Sequence, residues 1–516
     1  MPNILLIIAD ELRADALSCY GHPICATPHL DRLAAAGTRF ADCVVTQPTC
    51  TPSRASLLSG CFPSVLKSRM VGCHTPDDPR FLGHVLQAAG HRSVSIGKIH
   101  LRPQRAEPEA VAAAMADEAG DGYFGFAQAD LVNGHGDLCF GRDYEARAAD
   151  LGVELTAVRR NQRAHDRQLS PGLGPYRFRL PTELHSSQYI ADRAIEMLKA
   201  ARHDEAPFFA HVSFPDPHHP FTVPEPWDAA YDPADVPAPI PHGGTDMPSW
   251  YDPIYRAEGT EINRITGTTP LDYSRVDEAT WREVRAAYYG MTTCLDHHIG
   301  RILDQLEASG LAESTIVCFV ADHGDYLGDH GFVGKGMPFD SALRVPLLIR
   351  GPGIDAGRLI DPPASTLDIA PTLLDLAGVP APEGVQGISS AGALRGTGAY
   401  TRSAALTEND DDRLPVRMRT LTTADWRLTA YAGGADGELY DRAADPEETH
   451  NRYRDAAFEP IRRELEAMLF EEVLCACDHA NGSRQQPAPP ATHWIPRHNR
   501  EPSSPRTTAR RRPAWR

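Results

Sequence analysis

Two short stretches of this 516-residue chain put acids and an imidazole where chemistry could happen. The run "NILLIIADE" ends in Asp10 and Glu11, and "TIVCFVADHG" carries Asp322 and His323 just past its apolar part. Both apolar runs read as buried strands, and open α/β sheets bind ligands beyond the carboxyl ends of their strands. If the two strands are neighbours, these side chains converge. A carboxylate-dominated cluster with one imidazole selects a hard divalent cation: Ca²⁺ first, with Mn²⁺ or Mg²⁺ as alternatives. The plainer reading of either site alone is an Asp that caps the next helix. Two such sites at two strand ends favour the metal. "GDHG" at 328–331 repeats the letters, follows no strand, and reads as a loop.

Cys50 opens "CTPSRASLLSG". It is expected in a turn before Pro52, with Ser53 capping the helix that follows. A helix N-terminus lowers a thiol's pKa and favours anions. A cysteine nucleophile would need a His base beside it, a zinc thiolate would need partner ligands, and an inert buried thiol needs neither. None of these explains Pro52 and Arg54 at the second and fourth positions after the cysteine.

The pattern C-x-P-S-R before "ASLLSG" resembles the signature of the type I sulfatases, in the alkaline phosphatase superfamily. Further segments resemble that family in its own order: "GHRSVSIGKIH" (90–100), "PHHPF" (217–221), "ADHGDYLGDHGFVGKG" (321–336), "RVPLLIRGPG" (344–353), "STLDIAPTLLDLAG" (365–378) and "GELYDRAADPEETHN" (437–451). The resemblance implies that Cys50 is converted by a formylglycine-generating enzyme to formylglycine, whose gem-diol is the nucleophile and a ligand of the cation. It implies that Asp10, Asp322 and His323 bind one divalent cation. Glu11 holds the second acidic position, where relatives vary. Arg54 would orient the nucleophile, and Lys98 and Lys335 would hold sulfuryl oxygens. His100 would contact the formylglycine. His218 would meet the leaving-group oxygen, with His219 as the alternative in "HH". The implied function is hydrolysis of a small sulfate ester, whether aryl, alkyl or sugar. A phosphonate monoester or phosphodiester hydrolase is the near alternative, and a catalytically silent binding protein on the same fold is the distant one.

The elements needed to hold these residues can be read from the apolar pattern. Asn3–Ala9, Ser93–Ile96, Phe208–Ser213, Thr315–Ala321 and Val345–Arg350 read as buried parallel strands. Helical patterns cover 29–37, 189–201 and 288–310; in the last, Tyr288, Met291, Leu295, Ile299, Ile302 and Leu306 recur at steps of three and four. Strands alternating with helices imply an α/β fold: a large, mostly parallel sheet sandwiched by helices. A smaller C-terminal α+β domain is expected after it. The expected boundaries are 1–380 for the catalytic domain, 381–474 for the small one, and 475–516 for a disordered basic tail. Segments 101–185 and 222–275 read as insertions, and 381–398 reads as a linker.

Composition sets outer limits. The net charge is -18, and residues 479–516 hold eight arginines against one acid, so the body is more acidic still. An acidic body argues against nucleic acid as a partner. Eleven cysteines without paired spacing read as free thiols in a reducing compartment. The apolar start is too short for a signal or a membrane span, so a cytoplasmic protein with no membrane partner is expected. The sequence leaves its oligomeric state open.

Overall fold

The first strand, β1 (Asn3–Ala9), is seven residues of which every one is buried. A strand covered on both faces needs no polar alternation, and it sits at the centre of the molecule's main sheet. In the computed structural model, residues 1–104, 106–115, 122–156, 158, 176–257, 272–410, 417–434 and 436–476 are described. The basic tail and parts of both insertions lie outside them.

The sheet has eight strands. Besides β1 they are β2 (Thr38–Phe40), β3 (Arg92–Gly97), β4 (Gln128–Leu131), β5 (Phe208–Phe214), β6 (Thr315–Ala321), β7 (Leu347–Arg350) and β8 (Arg358–Ile360), in the spatial order β8-β2-β7-β6-β1-β5-β3-β4. All neighbouring pairs are parallel except those β7 makes with β6 and β2. The expected mostly parallel sheet is therefore present, with two corrections. The 345–350 run is antiparallel and begins only at Leu347, because Pro346 supplies no N–H and splits off a separate two-residue strand, Arg344–Val345. Gln128–Leu131, inside what reads as an insertion, is an edge strand too short and polar to signal itself.

Helices flank this sheet. Those used below are α1 (Pro28–Ala35), α2 (Cys50–Ser59), α3 (Ser186–Ala201), α4 (Glu278–Ala308), α5 (Ile369–Ala377) and α6 (Glu459–Cys475). Asp277 caps α4 by accepting from the Thr280 N–H at 2.9 Å, as an N-cap aspartate should. Past α5, residues 381–398 do not swing free: Gln386 and Gly387 donate their N–H groups to the Gly60 carbonyl.

A four-stranded antiparallel meander follows: β9 (Ala404–Asn409), β10 (Met418–Thr423), β11 (Trp426–Tyr431) and β12 (Gly437–Asp441). Leu465 and Leu469 of α6 join Leu406, Leu421, Leu428 and Leu439 in its own apolar core. Its β9 strand also supports the main body. Thr407 Oγ1 donates to the Val45 carbonyl at 2.6 Å, Asn409 Nδ2 to the Gly336 carbonyl at 2.8 Å, and Glu408 N–H to the Thr46 carbonyl at 2.8 Å. One strand thus braces the approach to Cys50 and the residue after Lys335. Met1–Cys477 form a single compact unit.

Candidate functional site

Strand register alone brings the two acids together. Ala9 of β1 pairs with Ala321 of β6, so Asp10 and Asp322 are the next residues on adjacent parallel strands. On the other side Ala9 pairs with Phe214, and Ser213 pairs with Gly97 of β3, which delivers Lys98 to the same rim. Gly97 must be glycine: its φ is +93°, and a Cβ there would lie 2.0 Å from the Ser213 carbonyl oxygen.

Cys50 reaches this rim from below as the first residue of α2, and here the structure corrects the expected cap. Cys50 and Pro52 lie inside the first turn, where an N–H has no helical partner and proline costs nothing. Ser53 is not the cap; its hydroxyl donates to the Asp322 carbonyl at 2.5 Å. The Cys50 Sγ stands 3.1 Å from His323 Nε2, 3.6 Å from Asp10 Oδ1 and 4.0 Å from Lys98 Nζ. Burial and Asp10 push its thiol up, yet Lys335, Lys98 and His323 prevail and hold it well below the usual thiol range.

One helical turn on, Arg54 is fully buried and ties three strand ends. Its Nε donates to Asp322 Oδ2 at 2.7 Å, and its Nη1 to the Lys98 carbonyl and Ser213 Oγ at 2.8 Å each. Lys98 Nζ is paired with Asp10. Against the cost of burial, Lys98, His218 and Arg54 hold the Asp10 carboxyl well below its usual range, while burial pushes Asp322 up.

Glu11 turns away from Asp10 with a φ of 66°, a backbone shape that non-glycine residues rarely take. Its N–H donates to Asp322 Oδ1 at 3.0 Å, and Tyr288 of α4 donates to its carbonyl at 2.8 Å. Its Oε2 meets His218 Nε2 at 2.9 Å, Lys335 Nζ at 3.1 Å and His219 Nδ1 at 3.4 Å. Its buried Oε1 has no hydrogen-bond partner. Burial disfavours charge on His218, but Glu11 lifts it to about 9. Burial, with His218 beside it, drops His219 to about 4. His100 is buried near Cys50 and is also pushed down by burial, to about 4.

The residues present fit a divalent cation. Ligand atoms of Asp10, Cys50, Asp322 and His323 all lie within 4.8 Å of one another, and all four residues are buried. His323 donates from Nδ1 to the Gly324 carbonyl at 3.0 Å, which turns the Nε2 lone pair toward the cluster. The Glu11 carboxylate falls outside this group and clusters with His218 and His219, although its buried Oε1 has no hydrogen-bond partner.

All ten expected side chains thus gather at one end of the sheet. One that sequence reasoning missed joins them. His135 stacks face to face on His218 at 3.7 Å between ring centroids, and its Nε2 lies 3.4 Å from Lys98 Nζ. Its only sequence signal is a histidine between two glycines, in a stretch without periodicity. Asp329 of the repeated "GDHG" belongs elsewhere: it pairs with Arg13 at 2.6 Å and Arg285 at 2.5 Å and locks a loop. A second polar cluster, His185, Cys294 and His298, sits between α3 and α4. There Arg301 donates to His298 Nδ1 at 3.1 Å, so the neutral ring carries its proton on Nε2 and has no lone pair to offer the cluster. The ten described cysteines are all free. No helix among the described residues is long and apolar enough to cross a membrane.

Comparison with known proteins agrees with this geometry. Residues 2–379 match the family model described as sulfatase, and residues 328–473 match the C-terminal model of N-sulphoglucosamine sulphohydrolase. An arylsulfatase of Clostridium perfringens is 30% identical over 75% of this chain and 77% of its own length. An N-acetylglucosamine-6-O-sulfatase of Bacteroides thetaiotaomicron is 27% identical over 91% of this chain and 86% of its own. The solved phosphonate monoester hydrolase of Agrobacterium radiobacter superposes with a TM-score of 0.74 at 26% identity, covering 93% of this chain and 96% of that one. The chain belongs to the sulfatase family of sulfuric ester hydrolases.

Proposed function

We propose that the enzyme cleaves a small sulfate ester at this cluster, with Asp10, Glu11, Asp322 and His323 holding one Ca²⁺ and Cys50 carried as formylglycine. The observation that carries the reading is the register that sets Asp10 beside Asp322 with the Cys50 side chain between them and His323. Mostly oxygen donors favour Ca²⁺ over softer metals, with Mn²⁺ or Mg²⁺ as weaker occupants. When bound, the cation would supply positive charge that acidifies the nucleophile and neutralises sulfuryl oxygens. As formylglycine, residue 50 would supply a hydrated aldehyde, whose hydroxyl attacks sulfur and whose carbonyl exit releases sulfate.

The protein's own groups divide the remaining work. Lys98 and Lys335 flank residue 50 and neutralise the sulfuryl oxygens, where charge is spread in the transition state. Arg54 fixes the orientation of residue 50 by tying Asp322 to the ends of β3 and β5. His218, held cationic by Glu11, donates its proton to the bridging oxygen as the S–O bond breaks. His100, kept neutral by burial, accepts a proton when sulfate is released. The C-x-P-S-R segment would be read by a formylglycine-generating enzyme before folding buries it. Residues 1–380 would be the catalytic part and 381–474 the part that braces it.

The likeness to a phosphonate monoester hydrolase supports a second reading, in which the same groups act on a phosphoryl centre. Turnover of 4-nitrophenyl sulfate against 4-nitrophenyl phenylphosphonate, with Ca²⁺ and Mn²⁺ compared, tests both. A higher kcat/KM on the sulfate with Ca²⁺ is expected. A preference for the phosphonate would install the second reading instead.

A further inference from the structure

His135 has no role in the chemistry above, yet it is built into the site from three sides. It lies between Gly134 and Gly136 in a loop closed by two backbone hydrogen bonds between Asn133 and Phe140, at 2.7 and 2.8 Å. Gly136 has a φ of +54°, and a Cβ there would meet Thr222 Oγ1 at 2.6 Å, so the loop tolerates no side chain beside the histidine. His135 Nδ1 lies 3.4 Å from the Pro215 carbonyl, which can only accept, so Nδ1 carries the proton. Nε2 therefore presents its lone pair, and it faces the Lys98 ammonium at 3.4 Å. The ring itself lies parallel to His218, 9° between planes and 3.7 Å between centroids. Two rings in this stacked geometry restrict each other's tilt.

We infer that His135 is a positioning residue that sets two working side chains at once: its ring face fixes the plane of His218, and its Nε2 lone pair aims Lys98 Nζ. The inference rests on the roles given above to His218 and Lys98. Two substitutions separate the two contacts. His135→Gln, whose amide reaches the Nε2 position, keeps a polar group in reach of Lys98 but removes the ring. His135→Phe keeps a flat ring against His218 but removes the lone pair.

The contacts act on different parts of the reaction. Misplacing His218 matters little for a leaving group that departs unaided and much for one that needs a proton. His135→Gln is therefore expected to lose about tenfold more kcat on an alkyl sulfate than on 4-nitrophenyl sulfate. His135→Phe is expected to keep the wild-type ratio between the two substrates. It should instead raise KM several-fold on both, because Lys98 holds the sulfuryl group in ground and transition states alike. Gly136→Ala, which displaces the loop and leaves His135 intact, should shift in the direction of His135→Gln.

Kinetics of all three variants on the two esters, with unfolding midpoints measured alongside, decide the matter. Equal losses on both esters for His135→Gln, or no loss in any variant, would overturn the inference. A wild-type enzyme inactive on both sulfates would instead overturn the proposed function, so the two failures are distinct.

Discussion

Arg54 offers the sharpest single perturbation, because its guanidinium is the buried counterion of Asp322 and stands near Asp10. Arg54→Ala removes the 2.7 Å bond to Asp322 and leaves that carboxylate with only the Glu11 and His323 N–H groups. It also orphans the Lys98 carbonyl and Ser213 hydroxyl, each now bonded at 2.8 Å. Breaking a fully buried ion pair from one side costs about 3–5 kcal/mol. A divalent cation beside the same carboxylates offsets much of this, since one unit charge at about 4 Å contributes about 4 kcal/mol at an effective dielectric near 20. Two numbers follow. In chelator, the variant should be destabilised by about 3–5 kcal/mol, and in saturating Ca²⁺ by less than about 2 kcal/mol. By linkage, Arg54→Ala should bind Ca²⁺ more tightly than wild type by the difference.

Urea unfolding in chelator and in Ca²⁺, with calorimetric titration of Ca²⁺, provides both numbers. Arg54 also belongs to the segment a formylglycine-generating enzyme would read, so both proteins should carry Cys50→Ala to make residue 50 identical. The reasoning fails if the cost of Arg54→Ala is the same with and without the cation. It fails equally if Ca²⁺ binds more weakly to the variant, since the guanidinium would then not be the cation's electrostatic competitor.

Removing the cation from active enzyme with a chelator should abolish sulfate ester hydrolysis and adding Ca²⁺ should restore it; Asp322→Asn should lose at least about 100-fold in kcat without recovering at high Ca²⁺. The peptide spanning Cys50, from a host able to modify it, should weigh about 18 Da less than its cysteine form, as mass spectrometry of the digest will report. Glu107 is fully buried and accepts from the Leu101 N–H and the Tyr123 hydroxyl on one oxygen, while the other has no partner. Burial raises its carboxyl to about 7. A raised acid contributes stability that is fully present below its unfolded value and lost as pH rises through the folded one, here about 3 kcal/mol between about pH 5 and 8. Glu107→Gln should therefore raise the unfolding midpoint at pH 8, change it little at pH 5, and flatten the profile between.

How much of this could be read beforehand follows from where each signal lives. β1 and β6 announce themselves because a strand buried on both faces is apolar throughout, and the acids after each stand out against that run. Register then converts two sequence positions 312 residues apart into neighbours, which no local pattern encodes. The three-residue strands β2 and β8 carry no periodicity, being shorter than one full alternation. Ser53 was expected to cap α2 because serine usually does; Pro52 can instead sit within the first turn, and Ser53 is spent on Asp322. His135 was invisible for a different cause. Its value comes from a ring stacked on His218, eighty-three positions away, and sequence spacing says nothing about stacking.

The charges at the site explain why cation and ester belong together. Asp10, Glu11 and Asp322 form an acidic floor, and Arg54, Lys98, Lys335 and cationic His218 lie against it. These groups nearly cancel, and burial forbids a large excess of either sign. A divalent ion seated on the carboxylates leaves the pocket with a surplus of positive charge, and the partner that relieves it is an anion. A sulfate ester brings one negative charge, spread over three oxygens that two lysines can reach. Cation and ester must therefore strengthen each other's binding, and reciprocally so. The same surplus suits a phosphonate monoester, which also carries a single charge at neutral pH. Charge alone thus cannot separate the two substrate classes. With the same 4-nitrophenyl leaving group on both esters, discrimination on the proposed reading would come from the transferred group itself: three sulfuryl oxygens for Lys98 and Lys335 to hold, against two phosphoryl oxygens and a carbon substituent.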